Sequence, residues 1–448
     1  MFKPELLSPA GTIKNMRYAF AYGADAVYAG QPRYSLRVRN NDFKSVEALQ
    51  QGIEEAHQQG KQFYIASNIS PHNDKVRSYL KDLEPVVALK PDALIMSDPG
   101  LIMMVREKWP DQPIHLSVQA NAVNYATVKF WQQLGLSRVI LSRELGLEEI
   151  AEIRQQVPDM ELEVFVHGAL CIAYSGRCLL SGYMNHRDAN QGACTNSCRW
   201  EYQPQQATEN EVGELVPLKT IANEEPVQQF DSTGDDKNQD TIAMLLQEVN
   251  RPGELMPAYE DEHGTYIMNS KDLRAVQHVK TLAEMGIHSL KIEGRTKSHY
   301  YVARTAQVYR RAIDEAVAGK QFDMSMMDEL ETLSNRGYTE GFYRRHPPAE
   351  YQNYEMGIST ANQQQFVGEI LGVENDKLVV DVKNRFAVGE TIELMSPAGS
   401  YRFNLESIED KNNHTIEIAP GSGHQVKIPL PFDPPEDSFD YGLIVKSL

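Results

Sequence analysis

The chain has 448 residues, enough for a large core and more than one domain, and its 41% hydrophobic and 24% charged residues are those of an ordinary globular protein. No run approaches the roughly 18 apolar residues that a membrane span needs. The opening Met1-Phe-Lys-Pro-Glu-Leu-Leu-Ser-Pro lacks the apolar stretch and cleavage site of a secretory signal, so a cytoplasmic protein without membrane association is expected, in a compartment where thiols stay reduced. The net charge of −18 is unevenly spread: residues 201–262 hold 15 acids against 3 bases and residues 361–448 hold 14 against 7. The rest is close to neutral and can present a basic face to nucleic acid.

Taken in chain order, short apolar runs alternate with amphipathic stretches such as Val46–Gln59 and Leu147–Gln156. The runs Glu5–Ser8, Ala26–Gly30, Gln62–Asn68, Ala93–Asp98, Ile114–Gln119, Arg138–Arg143, Glu163–His167 and Ser289–Glu293 are mostly continuous in apolar character, as strands buried on both faces are. Eight such units predict an α/β fold, a (β/α)8 TIM-like barrel, over residues 1–335, with a doubly wound open sheet as the alternative. Gly264–Met268 is a further strand with no place among the eight. Residues 203–258, rich in Gln, Glu, Asp and Asn, read as an acidic insertion, a long and partly disordered loop. Residues 336–360 connect to a region, 361–448, where short strands (Phe366–Val373, Lys377–Val382, Glu390–Met395, Tyr401–Ile408, Thr415–Ile418 and Gln425–Ile428) are separated by turn residues. That pattern predicts a small C-terminal antiparallel β-barrel domain.

In a barrel of this kind the C-terminal strand ends surround the active site. Each apolar run here stops at a glycine or polar residue. Among those positions His167 and Glu293 are the candidate catalytic groups. Asn68, Gln119, Arg143 and Arg295, with Arg37 in the loop after the second strand, are the candidate substrate-binding groups. Arginine suits carboxylates and phosphates because its fork binds them through two bonds. The basic stretches around Arg33–Arg39 and Lys291–Tyr301 carry several of these cations, although solvated helix faces would look the same.

All four cysteines lie within one stretch, as Cys171-x6-Cys178-x15-Cys194-x3-Cys198. A cluster of thiols in a reducing compartment points to metal ligation by Cys171, Cys178, Cys194 and Cys198 rather than to disulfides. The spacing leaves an iron–sulfur cluster and a structural zinc site equally open. No H-E-x-x-H, G-x-S-x-G, P-loop or G-x-G-x-x-G motif occurs, so no common hydrolase or nucleotide signature is present.

The segment Glu163-Val-Phe-Val-His-Gly-Ala-Leu-Cys171-Ile-Ala-Tyr-Ser-Gly176-Arg-Cys178-Leu-Leu-Ser181 resembles the signature of peptidase family U32, the collagenase-like peptidases. The stretches Glu5–Gly11, Gly23–Gly30 and Leu290–Arg295 are similar to that family too, as are Gln31–Asn41, Met96–Gly100 and Tyr266–Leu273 to its tRNA-hydroxylating members. The resemblance implies an enzyme that makes 5-hydroxyuridine at the wobble position of the tRNA anticodon loop without molecular oxygen. It implies prephenate as the co-substrate that donates the hydroxyl group. It further implies a 4Fe–4S cluster on the four cysteines, loaded by the iron–sulfur assembly machinery; the resemblance, not the spacing, favours iron over zinc. Related members hydroxylate a ribosomal RNA cytidine or act in ubiquinone synthesis. The family name keeps a peptidase as a competing reading, and a non-catalytic scaffold for another modifying enzyme is a third.

Overall fold

Alternation of buried strand and half-buried helix closes the first part of the chain into a ring. The computed structural model describes residues 2–36, 42–170, 202–209, 215–217, 242–248, 255–261, 264–265, 272–335, 337–344, 364–430 and 439–448. Strands β1 (Glu5–Pro9), β2 (Ala26–Gly30), β3 (Gln62–Ser67), β4 (Ala93–Met96), β5 (Ile114–Leu116), β6 (Arg138–Ile140) and β7 (Glu161–Ala169) pair in order, all parallel. The eighth strand, Ser289–Ile292, pairs in parallel with both β1 and β7 and closes the barrel. The expected (β/α)8 barrel is therefore formed, and the open-sheet alternative is not. The helices Ile13–Ala21, Val46–Gln58, Pro99–Lys108 and Tyr125–Gln133 begin at Thr12, Ser45, Asp98 and Asn124, whose side chains accept a backbone N–H of the first turn. The long helix His299–Val317 follows the eighth strand and starts in the same way at Ser298.

A long connection separates β7 from the eighth strand. Within it, Asp272–Arg274 runs antiparallel to the end of β7 and is joined by Tyr338–Thr339, and the short helix Val279–Glu284 follows. In and just after the stretch 203–258 expected to be a loop, Tyr202–Glu209, Leu215–Pro217, Ile242–Glu248, Leu255–Asp261 and Gly264–Thr265 are strands of an antiparallel ladder. Two apolar runs, Ile242-Ala-Met-Leu-Leu and Leu255-Met-Pro-Ala-Tyr, stand in that stretch of the sequence; the acidic average hides them. The supernumerary strand at Gly264 belongs to this ladder.

The expected C-terminal β-barrel is not formed. Eight antiparallel strands make one sheet, in the order Gly399–Asn404, Thr391–Ser396, Leu443–Ser447, Gln364–Glu374, Lys377–Val382, Gln425–Pro429, Ile408–Asp410 and Thr415–Ile416. Among the described residues the first and last strands do not pair, so the sheet stays open. One edge strand, Gly399–Asn404, is largely exposed, and the other is two residues long. Alternation along a strand reports a sheet with one buried face; closure depends on which edges meet, and alternation carries no information on that.

The sheet has its own apolar core around Val367, Leu378, Val380 and Ile428, while Met395, Leu443 and Val445 pack into the core of the barrel. Across the junction the Tyr22 hydroxyl donates to the carbonyls of Met395 (3.1 Å) and Tyr441 (2.9 Å).

Candidate active site

The lumen is charged, unlike the Val, Ile and Leu layers that usually fill such a barrel. Strand spacing of two places Ser289, Lys291 and Glu293 on the inner face, with Glu163 and Phe165 of β7 beside them. At the bottom, Glu5 accepts bonds from Arg138 (2.7 Å), Ser289 (2.8 Å) and Tyr64 (2.6 Å). Glu163 has no exposed surface and accepts from Arg138 (3.2 Å) and Lys291 (2.8 Å). Burial pushes the Lys291 ammonium below its ordinary pKa, and Glu163 opposes that shift. The same Lys291 lies 4.3 Å from the Tyr28 ring centroid and 5.4 Å from that of Phe165.

Those two rings also carry the cations of the mouth. Arg143 sits 3.8 Å over Phe165 and Arg295 5.6 Å from Tyr28. Glu293 is 3.6 Å from Arg143, and the Tyr28 hydroxyl, which donates to the Ile292 carbonyl at 3.0 Å, is 3.4 Å from the Glu293 carboxylate. Arg295 donates to Ser35 at 2.8 Å, and an added Cβ at Gly30 would come within 2.4 Å of that hydroxyl. Three sequence-predicted residues, Arg143, Glu293 and Arg295, are thus brought together around Tyr28. Among the described residues around Tyr28, two guanidinium groups meet one carboxylate, a set that suits an anionic substrate group.

The other predicted residues are placed as follows. Asn68 donates to Ser117 (3.2 Å) and accepts the Leu36 N–H (3.3 Å), tying the ends of β3 and β5 to the loop after β2. Gln119 is half-buried in a short turn, Val118–Ala120, and its own backbone N–H donates to the Ser117 hydroxyl. His167 shares a backbone bond with Glu293 (2.8 Å), but its ring is buried against Tyr301, Tyr309 and Tyr338 on the helix side of β7. Burial, with Lys297 and Arg274 nearby, lowers its pKa to about 3, so the imidazole is neutral. Arg37, Cys171, Cys178, Cys194 and Cys198 lie outside the described residues. Among the described residues no group of three or more His, Cys, Asp or Glu could hold a metal ion.

Sequence reasoning passed over Glu5, Arg138 and Glu163, and saw Lys291 only as part of a basic stretch. Their signal was a charge inside an apolar run, with Lys291 two residues before Glu293 and so on the same face.

Residues 11–353 match the model of Peptidase family U32, and residues 362–439 match that of the Peptidase family U32 C-terminal domain. The chain belongs to peptidase family U32. Within it the chain is 64% identical over 438 residues to tRNA hydroxylation protein P of Escherichia coli (strain K12), covering 97% of this chain and 95% of that protein. It is 61% identical to tRNA hydroxylation protein P of Haemophilus influenzae (strain ATCC 51907 / DSM 11121 / KW20 / Rd), covering 100% and 97%. An uncharacterized protease of Methanocaldococcus jannaschii, another relative, is 31% identical, covering 96% of each chain. In this U32 chain the mouth described above therefore sits in the family's main domain, and the open sheet corresponds to its C-terminal domain.

Proposed function

We propose that this protein is a tRNA-hydroxylating enzyme whose chemistry takes place at the barrel mouth. The observation that carries the reading is the 64% identity, over almost the full length of both chains, with tRNA hydroxylation protein P. The finer reading is oxygen-independent conversion of the wobble uridine to 5-hydroxyuridine, with prephenate as hydroxyl donor. An anticodon loop offers its wobble base unpaired, so presenting it to the mouth costs less than flipping it from a duplex.

Prephenate carries two carboxylates, and Arg143 and Arg295 supply paired N–H donors for them, with Arg37 a third candidate. Gln119 is a candidate amide for the polar edges of a base, and Asn68, bonded to Ser117 and Leu36, orders the loop beside it. Glu293, 3.6 Å from Arg143, serves as the acid–base group. His167, neutral and enclosed by three tyrosines, acts by holding β7 against the helix layer and so positions the segment leading to Cys171.

Four thiolates are a donor set that fits a 4Fe–4S cluster, and β7 ends at Ala169, two residues before Cys171. A cluster held by Cys171, Cys178, Cys194 and Cys198 would supply the electron-accepting or Lewis-acid chemistry that uridine C5 needs and that carboxylates and arginines lack.

The test is an anaerobic reaction of purified, iron-loaded protein with tRNA from a strain lacking it, read by mass spectrometry of nucleosides. 5-Hydroxyuridine should form only with prephenate present, and Cys171→Ala protein should form none. Cleavage of a gelatin-like peptide, surviving loss of the four cysteines and with no RNA product, would establish the peptidase reading instead.

A further inference from the structure

We propose that Lys291 is a positioning residue for the barrel mouth. Its buried ammonium acts as a third cation beneath Arg143 and Arg295, and its ion pair with Glu163 keeps it charged. This rests on the reading of an anionic co-substrate above and deepens it.

Ser289 stands opposite Glu163, and Lys291 stands opposite Phe165. Lys291 therefore leaves its strand one step nearer the mouth than Glu163 leaves β7. Through β1, Leu7 is level with Lys291 and Pro9 with Tyr28, so Tyr28 is one step higher still. The ion pair, 2.8 Å long, thus turns its cationic member toward the mouth. The ammonium lies 4.3 Å from the Tyr28 ring centroid and 5.4 Å from that of Phe165. Those are the rings over which Arg295 and Arg143 sit. For stability alone, apolar side chains filling the same volume serve as well as a buried ion pair. Toward the mouth the charge differs from any apolar group, because its field is weakly screened in a medium of low polarity.

The groups around Lys291 decide when it carries that charge. Burial pushes its pKa below the ordinary lysine value of 10.5, Glu163 and Glu293 oppose that shift, and Arg295 adds to it. From β6, Arg138 shares the Glu163 carboxylate, and from β1, Glu5 answers Arg138. His115, on β5, is pushed far down by burial and stays neutral. Tyr64, on β3, is raised by burial and by Glu5 and keeps its proton. Strand β4 contributes only apolar side chains. Loss of the Lys291 proton would leave Glu163 as a negative charge under the anion site.

The test is the pH dependence of prephenate binding to anaerobic, iron-loaded protein, measured by isothermal titration calorimetry from pH 7 to pH 10.5. Wild-type affinity should fall about tenfold as Lys291 loses its proton, the size expected of one unit charge about 10 Å away at an effective dielectric constant of about 20. The midpoint should lie below 10.5. Arginines and the carboxylates of prephenate do not titrate in this range. Glu163→Gln removes the group that holds the proton and should move the midpoint down by about one pH unit. The double variant Glu163→Gln with Lys291→Met, an uncharged pair of similar size, should show no alkaline fall. Tyr28→Phe, which lacks the phenol that titrates near pH 10 or above, should keep it. A packing role alone would weaken binding at every pH and leave the midpoint in place. An unmoved midpoint in Glu163→Gln overturns the role of Lys291, and so does a flat wild-type profile, which decides the matter even where a variant fails to fold. A flat profile together with prephenate-dependent hydroxylation would remove this role and leave the enzyme reading. The predicted profile in protein that forms no 5-hydroxyuridine would do the reverse.

Discussion

Glu163 is the residue on which the lumen turns. It has no exposed surface, and both of its cationic partners, Arg138 and Lys291, are themselves buried. Such a network is weak evidence for stability as a whole, but removing one member strands the others in a medium of low polarity. Glu163→Ala should therefore lower unfolding stability by about 3–5 kcal/mol in urea denaturation, whereas Lys108→Ala, which breaks the exposed pair with Glu84, should change it by less than about 1 kcal/mol. His167 gives a second prediction, in pH. Its pKa is about 3 in the folded protein because of burial, followed by the nearby Lys297 and Arg274, against about 6.5 in an unfolded chain. Between those values only the unfolded chain takes up the proton, so stability rises with pH. The contribution is full above about pH 6.5 and is lost as pH falls toward 3. His115, pushed down mainly by burial, acts in the same direction. His167→Phe should flatten the drop in thermal midpoint between pH 7 and pH 4.5; an unchanged slope would mean that the imidazole is not held neutral.

At the scale of elements, the loop after β2 meets the end of the eighth strand at one glycine. A Cβ on Gly30 would lie 2.4 Å from Ser35 Oγ and 2.8 Å from the Arg295 guanidinium. Gly30→Ala must push Arg295 aside, and displacements near 1 Å at a reacting centre reduce rates by up to about 100-fold. The hydroxylation assay should report a loss of at least about tenfold on that basis, with the fold retained by circular dichroism. Gly60→Ala is the control: its φ of +65° opposes a side chain but nothing lies within 4 Å, so stability should fall and turnover should not. The same elements explain what could be read beforehand. The eight strands were legible because each is an apolar run with a polar stop, and Arg143, Glu293 and Arg295 were found as those stops. The direction of His167 was not legible. Period two from Glu163 and Phe165 would aim it into the lumen, but the register slips there, from Lys291 opposite Phe165 to Ile292 opposite His167. A bulge turns the ring to the helix layer, and no local pattern announces it. The Leu443–Ser447 strand was missed for a related reason: it is short and distant in sequence from its neighbours Gln364–Glu374 and Thr391–Ser396, so only long-range pairing reveals it.

For the whole molecule the question is whether barrel and C-terminal sheet behave as one unit. Their junction joins apolar packing by Met395, Leu443 and Val445 to a set of ion pairs. Arg304, 2% exposed, pairs with Glu393, 4% exposed, and Arg402 and Gln364 also reach that carboxylate. On the other side Glu369 bonds Lys14 (2.6 Å) and His299 (2.8 Å). Burial alone would raise its pKa, but those two partners hold it at about 2. Its ordinary value is 4.5, so this carboxylate's contribution is present above about pH 4.5 and shrinks as pH falls toward 2. The sheet also has an apolar core separate from that of the barrel, so it can in principle melt alone. What prevents this near neutral pH is the junction, and Arg304 is the member whose loss leaves a nearly buried carboxylate without its closest cation. We therefore expect one calorimetric transition for the wild type at pH 7 and two for Arg304→Ala, the sheet melting first, because about 3–5 kcal/mol is removed from the contact between two cores and from neither core itself. A single transition shifted downward would mean that Met395, Leu443 and Val445, which pack into the barrel core, hold the two parts together without the ion pair.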